Sequence, residues 1–273
     1  MPELPEVETV KETLKTKILN KKITNVNILY PAIIESPNLN DFKKNIIGEK
    51  IIDIKRRGKW LMFELNNYYL LSHLRMEGKY NIKNISDKLE KHEHVCFSLD
   101  DSSELRYKDT RKFGRMHLIN KEEVYAVRPL NELGLEPWDD KLNVSYLKER
   151  YKSIKLPIKT SLLDQSIIVG IGNIYADEIL FLSNINPLKI TKELSDKELN
   201  NIIKYTRKVL ESAIKKGGTT IRTYESSEGV HGRFQQDLLV HNQENKECKI
   251  CHGIIKKIVV NGRGTYYCSK CQK

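Results

Sequence analysis

The chain has 273 residues, with Lys+Arg 47 against Asp+Glu 36 and a formal net charge of +11 at pH 7. This length favours about two domains, and the excess of positive charge favours a polyanionic partner. No apolar run approaches the ~20 residues that span a bilayer, and the acidic N-terminus lacks the apolar segment of a signal peptide. We therefore expect a cytoplasmic protein with reduced cysteines and no membrane partner.

The first residues offer a nucleophile. Once Met1 is removed, Pro2 carries a secondary amine, and an α-amino group titrates near ~7.7–8, so a neutral fraction exists at physiological pH. Attack of this amine on an aldehyde-level carbon gives an iminium, and the adjacent Glu3 is placed to transfer a proton. The alternative is that Pro2 only pre-sets φ before a helix. That helix is predicted from apolar residues at helical spacing, Val7, Val10, Leu14 and Ile18.

From about Lys22 to His117 the apolar pattern changes from helical to alternating, which predicts many short strands in a β-sandwich. The predicted strands are Ile23–Ile28, Ile51–Lys55, Trp60–Leu65, Tyr69–His73, His94–Leu99, Leu105–Lys108 and Arg115–Ile119. We place the N-terminal domain at residues 1–130 and a linker, with its Gly and Pro residues, at residues 131–142.

Within this segment, basic residues cluster around Gly58 and around Asp109–Gly114. Met76 and Phe113 are large apolar residues in charged neighbourhoods. On local grounds alone they would be assigned to core contacts.

Beyond the linker the pattern is helical again, and we expect residues 143–236 to form a helical domain. Ser195 and Glu198 have the spacing of a capping box, and Gly217 is a stop signal for the helix that follows them. The segment Gly217–Phe234, rich in Gly, Ser and Thr, is predicted to be a long loop that is either a lid or a disordered segment.

A turn with two glycines, Gly170 and Gly172, precedes Asn173 and the helical-looking Ile174–Leu182. Backbone N–H groups exposed at such a helix N-terminus can bind a phosphate. A role for Asn173 as the helix cap alone is an equally good local interpretation.

Four of the five cysteines form two C-x-x-C pairs, Cys248, Cys251, Cys268 and Cys271. Thiolates at this spacing complete a closed tetrahedral site, which predicts one structural Zn²⁺ ion with no position for a catalytic water. A redox pair or disulfides are the alternative. Cys96 is expected to be a small buried hydrophobe.

Two strands, Ile254–Val260 and Thr265–Tyr267, are predicted between the cysteine pairs. The turn-forming run Asn261–Gly264 joins them and would present Arg263 at its tip. Residues 237–273 are therefore expected to form a zinc-bound β-hairpin.

Six motifs lie in a characteristic order, Pro2–Thr9, Arg56–Lys59, His73–Gly78, Arg111–Gly114, Gly172–Tyr175 and Asn261–Thr265. With the C-terminal cysteines, they make the chain resemble the bacterial formamidopyrimidine-DNA glycosylases, also called 8-oxoguanine DNA glycosylases, from Pro2 to Cys271. Leu4 favours resemblance to this branch over the related endonuclease VIII branch, which usually has glycine at this position.

The resemblance implies an α+β fold: a catalytic β-sandwich domain with an N-terminal helix, then a helical domain with a helix-two-turns-helix element and a zinc-bound β-hairpin. It implies a bifunctional glycosylase and AP lyase of base excision repair that removes 8-oxoguanine and formamidopyrimidines and cuts the strand by β,δ-elimination. The implied catalytic residues are Pro2 as Schiff-base nucleophile, Glu3 as acid/base, Lys59 as proton donor for β-elimination and Arg263 as donor for δ-elimination.

The resemblance also implies how the chain would hold DNA. Chemistry on a stacked base requires its extrusion, and the family fills the gap with three side chains, here Met76, Arg111 and Phe113. Contacts to the DNA backbone carry over to His92, Arg111, Lys155 and Asn173, and a substrate lid to Arg222, Thr223 and Tyr224. One departure is the run from His241 to Gln243, where the family usually has Tyr-Gly and a basic residue.

Two other classes of protein fit parts of this sequence. A zinc-hairpin DNA-binding regulator would explain the charge and the cysteines but would leave Pro2, Glu3 and Lys59 without a role. A small-molecule enzyme with an N-terminal proline base would explain Pro2 alone.

The expected partner is damaged double-stranded DNA, bound by a monomer that needs no small-molecule cofactor.

Overall fold

The computed structural model describes residues 1–219 and 232–273, which divide into two compact units. The first unit contains Met1–Pro2 and Glu6–Asn131, and the second contains Glu3–Pro5, Glu132–Thr219 and Arg233–Lys273. The domain bounds expected above, including the linker at residues 131–142, stay a prediction.

The first helix, α1, spans Leu4–Ile18. Its four predicted core residues are at most 1% exposed, which confirms the helical stripe. Glu6 lies in its first turn and Lys15 and Lys17 in its last, so the charges complement the helix dipole at both ends.

Strands of the first unit form two sheets. The four-stranded sheet has the order β1 (Ile23–Ile28), β7 (Glu93–Leu99), β8 (Ser103–Lys108) and β6 (Lys79–Asn84). The five-stranded sheet has the order β2 (Ile34–Ser36), β9 (Arg115–Asn120), β5 (Tyr68–His73), β4 (Trp60–Glu64) and β3 (Asp53–Arg57). Only the β2–β9 pair is parallel among these strands. Side chains from both sheets and α1 share one hydrophobic core, which confirms the predicted sandwich.

Three elements of this unit were missed by the sequence patterns. β2 has three residues, and β6 buries only Tyr80 fully, so neither shows a clear alternation. Helix α2 (Leu39–Ile46) is capped by Asn38, whose side chain accepts hydrogen bonds from the N–H groups of Asn40 and Asp41.

Four helices organise the second unit: α3 (Val144–Tyr151), α4 (Ile158–Leu162), α5 (Asn173–Leu182) and α6 (Asp196–Lys215). The predicted capping box is present, because the Ser195 side chain accepts from the Glu198 N–H while the Glu198 carboxylate accepts from the Ser195 N–H. Gly217, at φ +72°, follows α6 as predicted. In residues 1–219 and 232–273, no helix combines the length and apolar character needed to cross a bilayer.

A hairpin of β10 (Ile255–Val260) and β11 (Arg263–Cys268) lies near the C-terminus. Val260 pairs with Arg263, so the turn consists of Asn261 and Gly262 alone, at φ 44° and 73°. The prediction that Arg263 lies within the turn is therefore wrong. Asn and Gly are the residues that best adopt positive φ at both turn positions, which leaves Arg263 to begin the strand.

Candidate functional site

The Glu3 side chain lies at the N-terminus of α5. It is 2% exposed, and its carboxylate oxygens accept hydrogen bonds from the N–H groups of Gly172 at 2.7 Å and Ile174 at 2.8 Å. The N–H groups at a helix start carry partial positive charge and favour an anion. A phosphate was predicted for this helix end, but a carboxylate of the chain itself accepts these hydrogen bonds.

The Glu3 carboxylate binds the start of α5 and not the start of its own helix, α1. Asn173 was offered as the cap of α5, but Gly172 is the cap residue, and the Asn173 side chain donates to the Gly264 carbonyl instead.

Both glycines of this turn are required by close approach. A Cβ on Gly172 would lie 2.4 Å from the Glu3 Cδ atom, and one on Gly170 would lie 2.4 Å from the Leu4 Cδ1 atom. The Leu4 N–H also donates to the Gly170 carbonyl at 3.1 Å. The first residues after Pro2 are therefore tied to the start of α5 by backbone and side chain together.

Pro2 is buried, while Met1 is 42% exposed. With Met1 attached, the Pro2 nitrogen belongs to an amide and has no nucleophilic lone pair. Removal of the exposed Met1 would convert it to a secondary amine directly beside the clamped Glu3.

Lys59 lies at the turn between β3 and β4, where Gly58 has φ 56°. It is 7% exposed. Arg56 stabilises this turn, because its Nη1 donates to the Gly58 carbonyl at 3.0 Å and its Nε pairs with a Glu8 carboxylate oxygen at 2.7 Å. Burial raises the pKa of Glu8, but hydrogen bonds from Lys11 and Arg56 outweigh it and hold that pKa below its usual range.

His73 is a buried neighbour of this turn, and it is not among the site residues predicted from the sequence. Its ring meets the Trp60 ring edge-on at 4.8 Å, and its Nδ1 accepts from the Arg75 N–H at 2.9 Å. Burial, with the positive charges of Arg75 and Lys59, lowers the pKa of His73 to about 3. The imidazole is therefore neutral. The position of His73 within the His73–Gly78 motif was the sequence signal that could have identified it as a residue of the site.

The predicted gap-filling residues lie at the surface of the first unit. Phe113 is 46% exposed, Met76 is half-buried and Arg111 is exposed, so the local interpretation of core contacts is wrong for Phe113. The Arg111 guanidinium stacks over the Phe113 ring at 4.9 Å. His92 is half-buried, at φ 73°, and its carbonyl accepts from the Asp109 N–H.

A polar network of the second unit holds the start of β11, beside Arg263. The Asn173 Nδ2 donates to the Gly264 carbonyl at 3.0 Å, and the Lys159 Nζ approaches the same oxygen at 3.3 Å. The Asn173 Oδ1 is buried and has no hydrogen-bond partner among the described residues. Lys159 was missed by the sequence reading, because a lysine in the apolar start of α4 carries no pattern of its own.

Lys159 also pairs with Asp177 at 2.5 Å, and the second Asp177 oxygen binds His241 Nδ1 at 2.7 Å. Burial lowers the pKa of Lys159, although the Asp177 charge opposes the shift. His241, the first residue of the run that departs from the family pattern, therefore lies in a buried polar cluster.

Lys155, a predicted contact to the DNA backbone, is exposed in the connection before α4.

The lid residues Arg222, Thr223 and Tyr224 lie outside the described residues. Their role stays a prediction.

The four paired cysteines form one metal site. Their sulfur atoms all lie within 4.8 Å of one another, with Cys251 Sγ and Cys268 Sγ 3.3 Å apart and Cys248 Sγ and Cys271 Sγ 3.9 Å apart. Four sulfurs at about 2.3 Å from a tetrahedral zinc ion stand about 3.8 Å apart, so the donor set fits. The chain therefore holds one structural zinc ion, which joins the two ends of the hairpin.

Comparison with protein families shows three matches along the chain. The formamidopyrimidine-DNA glycosylase N-terminal domain matches residues 1–116, and the formamidopyrimidine-DNA glycosylase H2TH domain matches residues 133–225. A zinc finger found in FPG and IleRS matches residues 245–273.

Relatives and solved structures match over the full length. The formamidopyrimidine-DNA glycosylase of Oceanobacillus iheyensis is 48% identical over 100% of this chain and 98% of its own, and that of Bacillus subtilis is 44% identical over 100% and 99%. A Lactococcus lactis FPG mutant in complex with Fapy-dG-containing DNA has a TM-score of 0.94 at 37% identity, covering 100% of both chains. Lactococcus lactis Fpg with abasic-site DNA has a TM-score of 0.93 at 37% identity, covering 99% of both.

The metal site yields a direct prediction. Cys268→Ser removes one of four thiolates, so we expect the zinc content to fall from about one ion per chain to well below one after dialysis against a chelator. The hairpin should then lose order and the melting temperature should fall. Elemental analysis by mass spectrometry measures the metal.

Cys96→Ala is the matched control, because Cys96 is buried in β7, in the other unit from the metal site. It should keep its zinc. A chelator-resistant, fully loaded Cys268→Ser protein would contradict the assignment.

Proposed function

Because this chain belongs to the formamidopyrimidine-DNA glycosylase family, whose members are base excision repair enzymes, we propose that Pro2 is the nucleophile with which it releases oxidised purines. The observation that carries the proposal is the clamp on Glu3. A buried carboxylate that accepts hydrogen bonds from the N–H groups of Gly172, Ile174 and Tyr175 lies one residue from the nitrogen that Met1 removal exposes.

In the first step, the Pro2 nitrogen lone pair forms a bond to C1′ of the damaged nucleotide. The glycosidic bond breaks, its electron pair leaves with the base, and the base takes up a proton. The Glu3 carboxylate accepts the proton that the nitrogen loses and delivers it to O4′ as the C1′–O4′ bond opens. The product is an iminium that joins Pro2 to the open sugar.

In the second step, the iminium acidifies the C2′ proton, and its loss expels the 3′ phosphate by β-elimination. Lys59 is proposed as the proton donor of this step and Arg263 as the donor for the δ-elimination that follows. The role of Arg263 is supported by two hydrogen bonds that hold the backbone next to it. The Gly264 carbonyl accepts from the side chains of Asn173 and Lys159.

DNA binding is proposed to follow the same family pattern. Met76, Arg111 and Phe113 would fill the space left by the extruded base, while His92, Arg111, Lys155 and Asn173 would contact the DNA backbone. The exposed Phe113 ring beneath the Arg111 guanidinium supports the first role. The net charge of +11 supports phosphate binding.

The setting of the reaction belongs to the same proposal. We expect a monomer that acts on damaged double-stranded DNA in the bacterial cytoplasm and that needs no small-molecule cofactor. Pro2 and Glu3 would supply the nucleophile and the group that transfers the proton from the chain itself.

The proline mechanism is tested with a chain whose N-terminal tag is cut off directly before Pro2. The tagged chain should bind a duplex with one 8-oxoguanine but leave it intact, because its Pro2 nitrogen is an amide. After tag removal, strand cleavage should appear. Borohydride should then trap a covalent protein–DNA adduct that peptide mapping assigns to Pro2.

Lys59 is the rival amine, so Lys59→Ala is the control. It should slow elimination by roughly 10²- to 10⁴-fold, the contribution of general acid–base catalysis, and still form the trapped adduct. An adduct that maps to Lys59, or equal cleavage by tagged and untagged chains, would refute the proline mechanism.

A second prediction concerns the gap-filling side chains. Met76→Ala and Phe113→Ala should each slow excision from a duplex by about 10-fold, because each loses roughly 1–2 kcal/mol of apolar contact with the opened base stack. Affinity for an undamaged duplex should change little, since phosphate contacts supply it. Single-turnover kinetics and binding titrations measure the two effects.

Tyr125→Ala, which truncates another exposed aromatic of the first unit, is the matched control and should excise at the parental rate. Parental excision rates in both the Met76 and the Phe113 variant would show that these residues do not fill the gap.

A further inference from the structure

Two neighbouring loops carry the proposed gap-filling residues. The Met76 loop, Leu74–Gly78, leaves β5 and enters β6, and the Phe113 loop, Asp109–Gly114, leaves β8 and enters β9. His73 pairs with Arg115 across β5 and β9, and Lys79 pairs with Lys108 across β6 and β8. The two strands that flank the Met76 loop, β5 and β6, therefore pair with the two strands that flank the Phe113 loop, β9 and β8.

The Tyr107 side chain lies where the two loops end. It is fully buried, and its ring meets the Tyr80 ring edge-on at 5.3 Å. A Cβ on Gly78 would lie 2.2 Å from the Tyr107 hydroxyl oxygen, and one on Gly114 would lie 1.8 Å from it. Neither glycine has positive φ, so close approach to this hydroxyl is what requires glycine at the end of each loop.

Asp109 closes the Phe113 loop onto the same hydroxyl. Its fully buried carboxylate accepts hydrogen bonds from the Arg111 N–H at 3.0 Å, the Gly114 N–H at 2.8 Å and the Tyr107 hydroxyl at 3.3 Å. Burial away from water strengthens these charge-assisted bonds and makes the loop conformation costly to change.

We propose that Tyr107 and Asp109 are positioning residues that hold the Met76 loop and the Phe113 loop at one separation, so that both side chains enter the DNA as a single rigid wedge. This inference rests on the gap-filling role proposed above. Neither residue touches the DNA, because both are fully buried. Their contribution is pre-organisation: two coupled loops lose less freedom on insertion than two independent ones.

The test is Tyr107→Phe, which keeps the ring and removes only the hydroxyl between the glycines. With 2-aminopurine beside an 8-oxoguanine in a duplex, the fluorescence step that reports extrusion should slow by about 10- to 100-fold, as expected when a reactive arrangement is displaced by up to an ångström. Asp109→Asn, which weakens acceptance from two N–H groups, should slow the same step.

Tyr80→Phe is the matched control. It also removes a buried tyrosine hydroxyl of this sandwich, one that donates to Ser72 at 2.8 Å, and it should keep the parental extrusion rate. Zinc content and melting temperature show that all variants are folded. A general loss of stability would slow the Tyr80 variant as well.

The double variant separates positioning from other roles. If Tyr107 acts through the wedge, Tyr107→Phe should slow extrusion by less than about twofold in a Phe113→Ala background, because coupled residues are not additive. Full additivity, or a parental extrusion rate in Tyr107→Phe alone, would overturn the inference. An unchanged rate in Phe113→Ala and Met76→Ala would instead overturn the gap-filling role on which it rests.

Discussion

The hydrogen bonds from the start of α5 to the Glu3 carboxylate fix the position of the residue directly after Pro2. Removing a carboxylate from water is costly, and the N–H groups of Gly172 and Ile174, with the partial positive charge of the helix end, offset that cost. The arrangement demands a residue without a side chain at position 172, where a Cβ would lie 2.4 Å from the Glu3 Cδ. Pro2, the proposed nucleophile, is the residue directly before this anchored position.

The same helix also organises the hairpin. Asp177 binds Lys159 and His241, and the buried Glu178 carboxylate accepts from the N–H groups of residues 239–241 at 2.9, 3.0 and 2.9 Å. Burial raises the pKa of Glu178 more than these hydrogen bonds lower it. One helix therefore carries the anchor of Glu3 at its first turn and, through its acidic face, the chain that leads into the zinc hairpin and Arg263.

Much of this arrangement was predictable from sequence, and what was missed has a common cause. Periodicity predicted α1 and most strands, and cysteine spacing predicted the metal site, because those signals are local. The hydrogen-bond donors to Glu3 at the start of α5 lie 169, 171 and 172 positions along the chain, and no local pattern encodes such a contact. The polar strand β6 and the buried Lys159 likewise owe their places to tertiary packing. Arg263 was misplaced because the turn was predicted to span Asn261–Gly264, whereas it consists of two residues.

The most direct test of this account is the rate of borohydride trapping in Gly172→Ala. Gly172 has φ −126° and ψ −160°, extended values open to alanine, so the added methyl group acts on Glu3 and not on the backbone. We predict that trapping at Pro2 slows by about 100-fold, as expected for a displacement of about an ångström, while zinc content and affinity for an undamaged duplex stay unchanged. Trapping at the parental rate would show that the clamp on Glu3 does not govern the reaction.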